Sequence, residues 1–164
     1  MRNAIIISLL LVFFGLLQST VFIDILRIEN VKPDMLLIVV AFIAFKRGGM
    51  AGQLAGFGAG MLQQFLSPSL FGSYAFCFTI VGFALGYVQH KVNAENFITA
   101  GVLAFAATLI KGLMLGFLAL FFNEIGDMYG SYVVNGLLLE LVINPVLAGP
   151  MFWLMNRFAA PALR

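Results

Sequence analysis

Two oppositely charged residues, Lys111 and Glu140, lie deep inside long apolar stretches of the sequence. A charged side chain at the middle of a bilayer costs roughly 2.5–3.5 kcal/mol on insertion scales, so it usually pairs or serves a function. Lys111 lies 11 residues before Phe122, where its stretch ends, and Glu140 lies nine residues after Ser131, where the next begins. At a helical rise of 1.5 Å per residue, the two depths differ by about 3 Å.

This similarity of depth predicts contact between the fifth and sixth apolar segments, which are neighbours in the sequence and antiparallel. We expect Lys111 and Glu140 to form a structural ion pair or a polar contact with a partner protein. A proton or substrate pathway is the alternative, and it is weaker because a single pair offers no relay of further carboxylates.

The composition is typical of an integral membrane protein. Only 10% of the 164 residues are charged and 62% are hydrophobic, whereas a soluble domain carries roughly 25% charged residues. The net charge of +2 and the absence of a large Lys/Arg cluster argue against a nucleic-acid partner. One histidine and one cysteine, the apolar-flanked Cys77, offer no metal-ligand set, and no nucleophile lies beside a base. We therefore expect no catalytic residues, metal or cofactor, and no enzyme.

Six apolar segments predict an all-α bundle of about six transmembrane helices that forms a single domain. The first segment is long for a signal peptide and no small-x-small cleavage site follows it, so we expect it to be retained. The second is short for a hydrocarbon core of about 30 Å, which leaves a re-entrant hairpin limb as an alternative. The predicted spans are 4–22, 33–46, 50–66, 72–89, 97–122 and 131–156.

The distribution of basic residues favours six spans with both termini in the cytoplasm. This topology places six basic residues inside and two outside, as the positive-inside rule requires. If the second segment did not span, Lys46 and Arg47 would move outside and the bias would largely vanish. The inner residues are Arg2, Lys46, Arg47, Lys91, Arg157 and Arg164, and the outer ones are Arg27 and Lys32.

Glycines recur every four residues in the third segment, at Gly52, Gly56 and Gly60. On a helix this spacing forms one smooth stripe that another helix can approach closely. The stripe predicts either packing inside the bundle or a face that binds a partner protein. In the second case, replacing Gly56 by leucine should weaken assembly.

Further sequence features mark the ends of the segments. We expect Pro33 at the first position of the second helix and Asp34 in its first turn, where a carboxylate favours the positive end of the helix dipole. Gly48-Gly49 predicts a tight hairpin turn. Gln63 and Gln64 close the third helix on the outer side, as ordinary polar ends or as a contact patch. In the sixth segment Pro145 and Pro150 predict a kink, where Asn144 satisfies the freed backbone groups.

The order of several short motifs resembles the bacterial rod shape-determining MreD family over about residues 18 to 90. Gln18-Ser19-Thr20 closes the first span, and Pro33-Asp34-Met35-Leu36-Leu37 opens the second. The third span then ends Gly60-Met61-Leu62-Gln63-Gln64-Phe65-Leu66-Ser67. After these come Leu70-Phe71-Gly72 and Val81-Gly82-Phe83-Ala84-Leu85-Gly86. One departure is Gln64, where the family commonly has an acid; a glutamine can still donate and accept hydrogen bonds.

The resemblance implies a non-enzymatic, multi-pass subunit of the cell-elongation complex in the bacterial cytoplasmic (inner) membrane. Its implied partner is the bitopic protein MreC, and through it the MreB filament, the SEDS glycosyltransferase and the class B penicillin-binding protein of peptidoglycan synthesis. The implied fold is similar to the substrate-binding subunits of energy-coupling-factor transporters. A vitamin-binding subunit of that type is the alternative function, although the short outer loops and the single tryptophan, Trp153, argue modestly against a vitamin pocket.

Overall fold

In the computed structural model, six helices account for most of the described residues. They are α1 (Arg2–Thr20), α2 (Met35–Arg47), α3 (Gly49–Leu66), α4 (Ser73–Tyr87), α5 (Phe97–Ala119) and α6 (Leu138–Phe158). The structure describes residues 2–20, 33–66, 72–88, 96–122, 129–130, 132 and 136–158. Four of the basic residues used for the predicted topology lie outside these ranges: Arg27, Lys32, Lys91 and Arg164. Part of the predicted start of the sixth span also lies outside them.

The short helix α2 forms the centre of the bundle. Its side chains from Leu36 to Ala44 are all 0% exposed, and each of the other five helices packs against it. A helix that is apolar on every side is stable only where it is surrounded, and the run Met35–Phe45 is entirely apolar. Most of the largest fully buried side chains, Phe42 among them, therefore belong to α2.

Both ends of α2 are fixed by single residues. Asp34 is the N-cap, and its Oδ1 accepts a hydrogen bond of 3.1 Å from the Leu37 N–H. The helix thus begins at Met35, so the prediction of Pro33 at the first helical position and Asp34 in the first turn was wrong by about two residues, because the carboxylate caps the helix from outside it. At the other end Gly48, with φ +83°, alone separates α2 from α3. That backbone conformation suits glycine, because it has no Cβ.

The glycine stripe of α3 lies against α4, inside the bundle. A Cβ built on Gly52 would lie 2.3 Å from the Gly82 carbonyl oxygen, and one on Gly56 would lie 2.1 Å from that of Phe78. A Cβ on Gly60 would lie 2.4 Å from the Ala75 Cα. The two backbones therefore touch along the whole stripe, and of the two predicted uses of these glycines the structure has the internal one.

Helices α5 and α6 form an antiparallel pair, and both also pack against α2. Among the described residues these two helices alone are both long and apolar enough to cross a membrane, and Ile6–Ser19 and Ser73–Tyr87 are shorter apolar helices. α6 begins at Leu138 and remains helical through Pro145 and Pro150. Around α2 the neighbouring helices follow the order α1, α3, α4, α5, α6, and no described Cα atoms of α1 and α6 come within 8 Å of each other.

Candidate functional site

The buried lysine of α5 lies between two carboxylates from different helices. Lys111 Nζ lies 2.9 Å from Asp34 Oδ2 at the start of α2 and 2.5 Å from Glu140 Oε2 on α6. All three residues are buried, with exposed fractions of 2%, 2% and 8% for Lys111, Asp34 and Glu140. One ammonium group therefore joins α2, α5 and α6 inside the bundle.

Uncharged side chains extend this cluster and hold its members in place. The Tyr132 hydroxyl donates to Glu140 Oε2 at 2.7 Å. Asn144 on α6 accepts from the Asp34 backbone N–H at 3.0 Å and donates through Nδ2 to Thr108 Oγ1 at 2.9 Å. We call this set the polar centre; it consists of Asp34, Thr108, Lys111, Tyr132, Glu140 and Asn144.

The charges of the polar centre are nearly balanced. Two carboxylates face one ammonium group, and the N-terminus of α2 adds the partial positive charge of a helix dipole beside Asp34. Lys111 Nζ also lies 5.3 Å from the centroid of the Tyr132 ring, within range of a cation–π interaction. This arrangement compensates charges that would each be costly in hydrocarbon.

A second polar contact joins α1, α2 and α3. The Gln18 amide donates to Gln63 Oε1 and accepts from the Leu36 backbone N–H, both at 3.3 Å. Gln63 and Gln64 are only 7% and 8% exposed. Their side chains thus lie inside the bundle, whereas the predicted contact patch required them to be accessible from outside.

The contact between Lys111 and Glu140 was predicted from the sequence, but the contact between Lys111 and Asp34 was not. Asp34 was expected at the outer end of its helix, and only the short length of α2 signals otherwise: 13 residues span about 20 Å at 1.5 Å per residue, less than a bilayer core. The contact between Asp34 and Lys111 shows that the helix starts at the depth of Lys111. Asn144 accepts a hydrogen bond from the backbone N–H of Asp34. It was expected instead to bond to the backbone groups that the prolines leave unpaired in its own helix. Tyr132 and Thr108 carried no signal.

Comparison with known families gives one match. The sequence model of the family described as rod shape-determining protein MreD matches residues 1–158. The chain belongs to the MreD family. No curated protein and no solved structure matches the sequence. MreD proteins are shape-determining membrane proteins, and they are not a known enzyme family.

The hydrogen bonds and ion pairs of the polar centre connect α2, α5 and α6. Its carboxylates are bonded by Lys111, Tyr132 and the backbone of α2. Among the described residues, no group of three or more His, Cys, Asp or Glu side chains is arranged to hold a metal ion. The arrangement can therefore fix the relative positions of α2, α5 and α6 without any added group.

A pair of threonines tests how much the interhelical bonds of the polar centre stabilise the fold. Thr108 and Thr79 both donate to the carbonyl four residues earlier, at 2.9 and 2.6 Å, but Thr108 also accepts from Asn144. Thr108→Val should therefore lower the free energy of unfolding by about 1 kcal/mol more than Thr79→Val, since a buried hydrogen bond contributes about that much. Unfolding in mixed micelles, followed by circular dichroism, measures the difference; equal losses would contradict the assigned role.

Proposed function

We propose that this chain is a non-enzymatic membrane scaffold of the cell-elongation complex, which binds the bitopic protein MreC and helps to couple the MreB cytoskeleton to peptidoglycan synthesis. Membership of the MreD family supports the role in cell shape. The SEDS glycosyltransferase and the class B penicillin-binding protein are indirect partners in this proposal. The location is the bacterial cytoplasmic membrane.

The observation that carries the scaffold role is the way in which the polar centre is bonded within the chain. Lys111 bonds to both Asp34 and Glu140, and the uncharged members bond to these three residues or to one another. Polar groups used in this way position helices, whereas a catalytic group must also reach a substrate. A rigid bundle of this kind suits a protein that holds others in place.

For the membrane topology we propose six spans, with both termini in the cytoplasm. The six helices of the described residues support this arrangement, as does the excess of basic residues in the sequence segments that this topology places inside. α2 is too short to cross on its own, and in this topology it spans only the part of the bundle between the inner surface and the polar centre. The comparisons give no support to the alternative of a vitamin-binding transporter subunit.

Depletion of the chain in its native host tests the proposed function. Cells should lose their rod shape and become round, and MreC should co-purify with the tagged chain from membranes of undepleted cells. A plasmid copy should restore both the shape and the co-purification. Cells that remain rods, but acquire a growth defect that one nutrient relieves, would instead favour a transporter subunit.

A further inference from the structure

We infer that a transmembrane helix of a partner protein binds along the exposed face of α6, and that it brings a hydroxyl or amide hydrogen-bond donor to the Val146 carbonyl. This inference rests on the proposed function and names the surface that the bitopic partner occupies. The partner face consists of Leu138, Val142, Val146 and Pro150, which recur at every fourth residue of α6.

Pro150 leaves a hydrogen-bond acceptor on this face. Proline has no backbone N–H, so the carbonyl of Val146, four residues earlier, loses its helical donor. Val146 is 70% exposed, and Pro150 is exposed as well. Val146 is the ninth of the 21 residues of α6, a depth at which a bilayer holds no water. In such helices a neighbouring helix commonly satisfies the freed group.

The shape of the partner face also suits a close helix contact. Val142, Val146 and Pro150 carry smaller side chains than leucine or phenylalanine, so a second helix can approach this part of the face more closely. The exposed stripe of α5 differs, because it carries the bulky Phe105, Leu109, Leu113 and Phe117. Of these two long apolar helices, α6 therefore offers the smaller exposed side chains between Val142 and Pro150, and this stretch suits another helix better than the stripe of α5 does.

The arrangement of the helices leaves room at this position. The described parts of α1 and α6 are the two ends of the series around α2 and do not approach each other. α2 is already buried, so a partner helix beside α6 would extend the series without entering the core. The carbonyl that lacks its helical donor, the smaller side chains and the open position coincide on one helix.

Two tryptophan variants of the tagged full chain test the position of the partner. Val142 and Leu113 each lie 16 residues from the same side of the antiparallel pair, counted from Phe158 and Phe97, and they are 65% and 59% exposed. Val142→Trp should reduce the MreC that co-purifies from native membranes about three- to tenfold, since one lost interhelical contact has this size. Leu113→Trp should leave the yield unchanged.

Pro150→Ala tests the chemistry of the contact. Alanine restores the N–H that bonds the Val146 carbonyl, so this variant should resist unfolding at least as well as the wild type, yet retain less of the partner. Retention of MreC at the wild-type yield by both Val142→Trp and Pro150→Ala would overturn the inference, as would equal losses in Val142→Trp and Leu113→Trp. Failure of the wild-type chain itself to retain MreC would instead contradict the proposed function.

Discussion

Replacing Lys111 by methionine is expected to lower the free energy of unfolding by about 3–5 kcal/mol, the usual cost of removing one partner from a buried ion pair. The variant keeps the length of the side chain but leaves Asp34 and Glu140 in a buried site without the cation that both contact. Unfolding of the purified chain by sodium dodecyl sulfate in mixed micelles, followed by circular dichroism, measures the loss.

A triple variant separates the charge from the packing. Adding Asp34→Asn and Glu140→Gln to Lys111→Met removes both uncompensated carboxylates, and an amide oxygen at position 34 can still cap α2. Buried ion clusters replaced as a whole are often neutral or stabilising, so the triple variant should recover most of the lost stability. A Lys111→Met variant that unfolds at the wild-type midpoint would show that the ion contacts do not hold the bundle together.

The second large effect is expected at Gly56, where α3 and α4 touch. Gly56→Ala places a Cβ 2.1 Å from the Phe78 carbonyl oxygen and 2.6 Å from its carbonyl carbon. Both atoms belong to the backbone, so the two helices must separate, and we expect a loss of about 3 kcal/mol or more, at the upper end of the cost of overpacking. The same unfolding measurement determines this loss.

Gly58, two residues further along α3, provides the matched control. A Cβ at Gly58 would meet only Leu11 Cδ1, at 3.7 Å, which is an ordinary van der Waals contact. Alanine also favours the helix over glycine by up to about 1 kcal/mol. Gly58→Ala should therefore be neutral or stabilising. If both alanine variants unfolded alike, the close approach of α3 to α4 would not be the source of stability.

The hydrophobic pattern of the sequence predicted six apolar segments, and the described residues contain six helices. The charges in the fifth and sixth segments predicted the Lys111–Glu140 contact, because two opposite charges at similar depth on antiparallel neighbours are costly in lipid unless they face each other. Likewise, a glycine every fourth residue marks a close contact on any helix. These features depend on local spacing, which a single sequence contains.

The remaining features depend on contacts between distant parts of the chain. Asp34 lies 77 residues from Lys111, and although the apolar run after Asp34 indicates burial, nothing near Asp34 identifies the helices that surround α2. The glycine stripe alone could not indicate which helix would cover it. The sequence contains the facing glycines Gly82 and Gly86, but it does not show that α3 pairs with α4. Gln63 was predicted to lie at the outer surface because it is near the end of its helix, whereas its hydrogen bond with Gln18 holds its side chain inside the bundle.

The most direct test of the scaffold role is the shape of cells that carry only the charge-neutral triple variant Asp34→Asn, Lys111→Met and Glu140→Gln. Cell width is measured by microscopy at a membrane level of the variant equal to that of the wild type. If the polar centre only positions helices, the cells will remain rods of wild-type width. Round cells at an equal level of folded protein would show that the charges themselves take part in the function, as in a proton-coupled carrier, and would contradict the account.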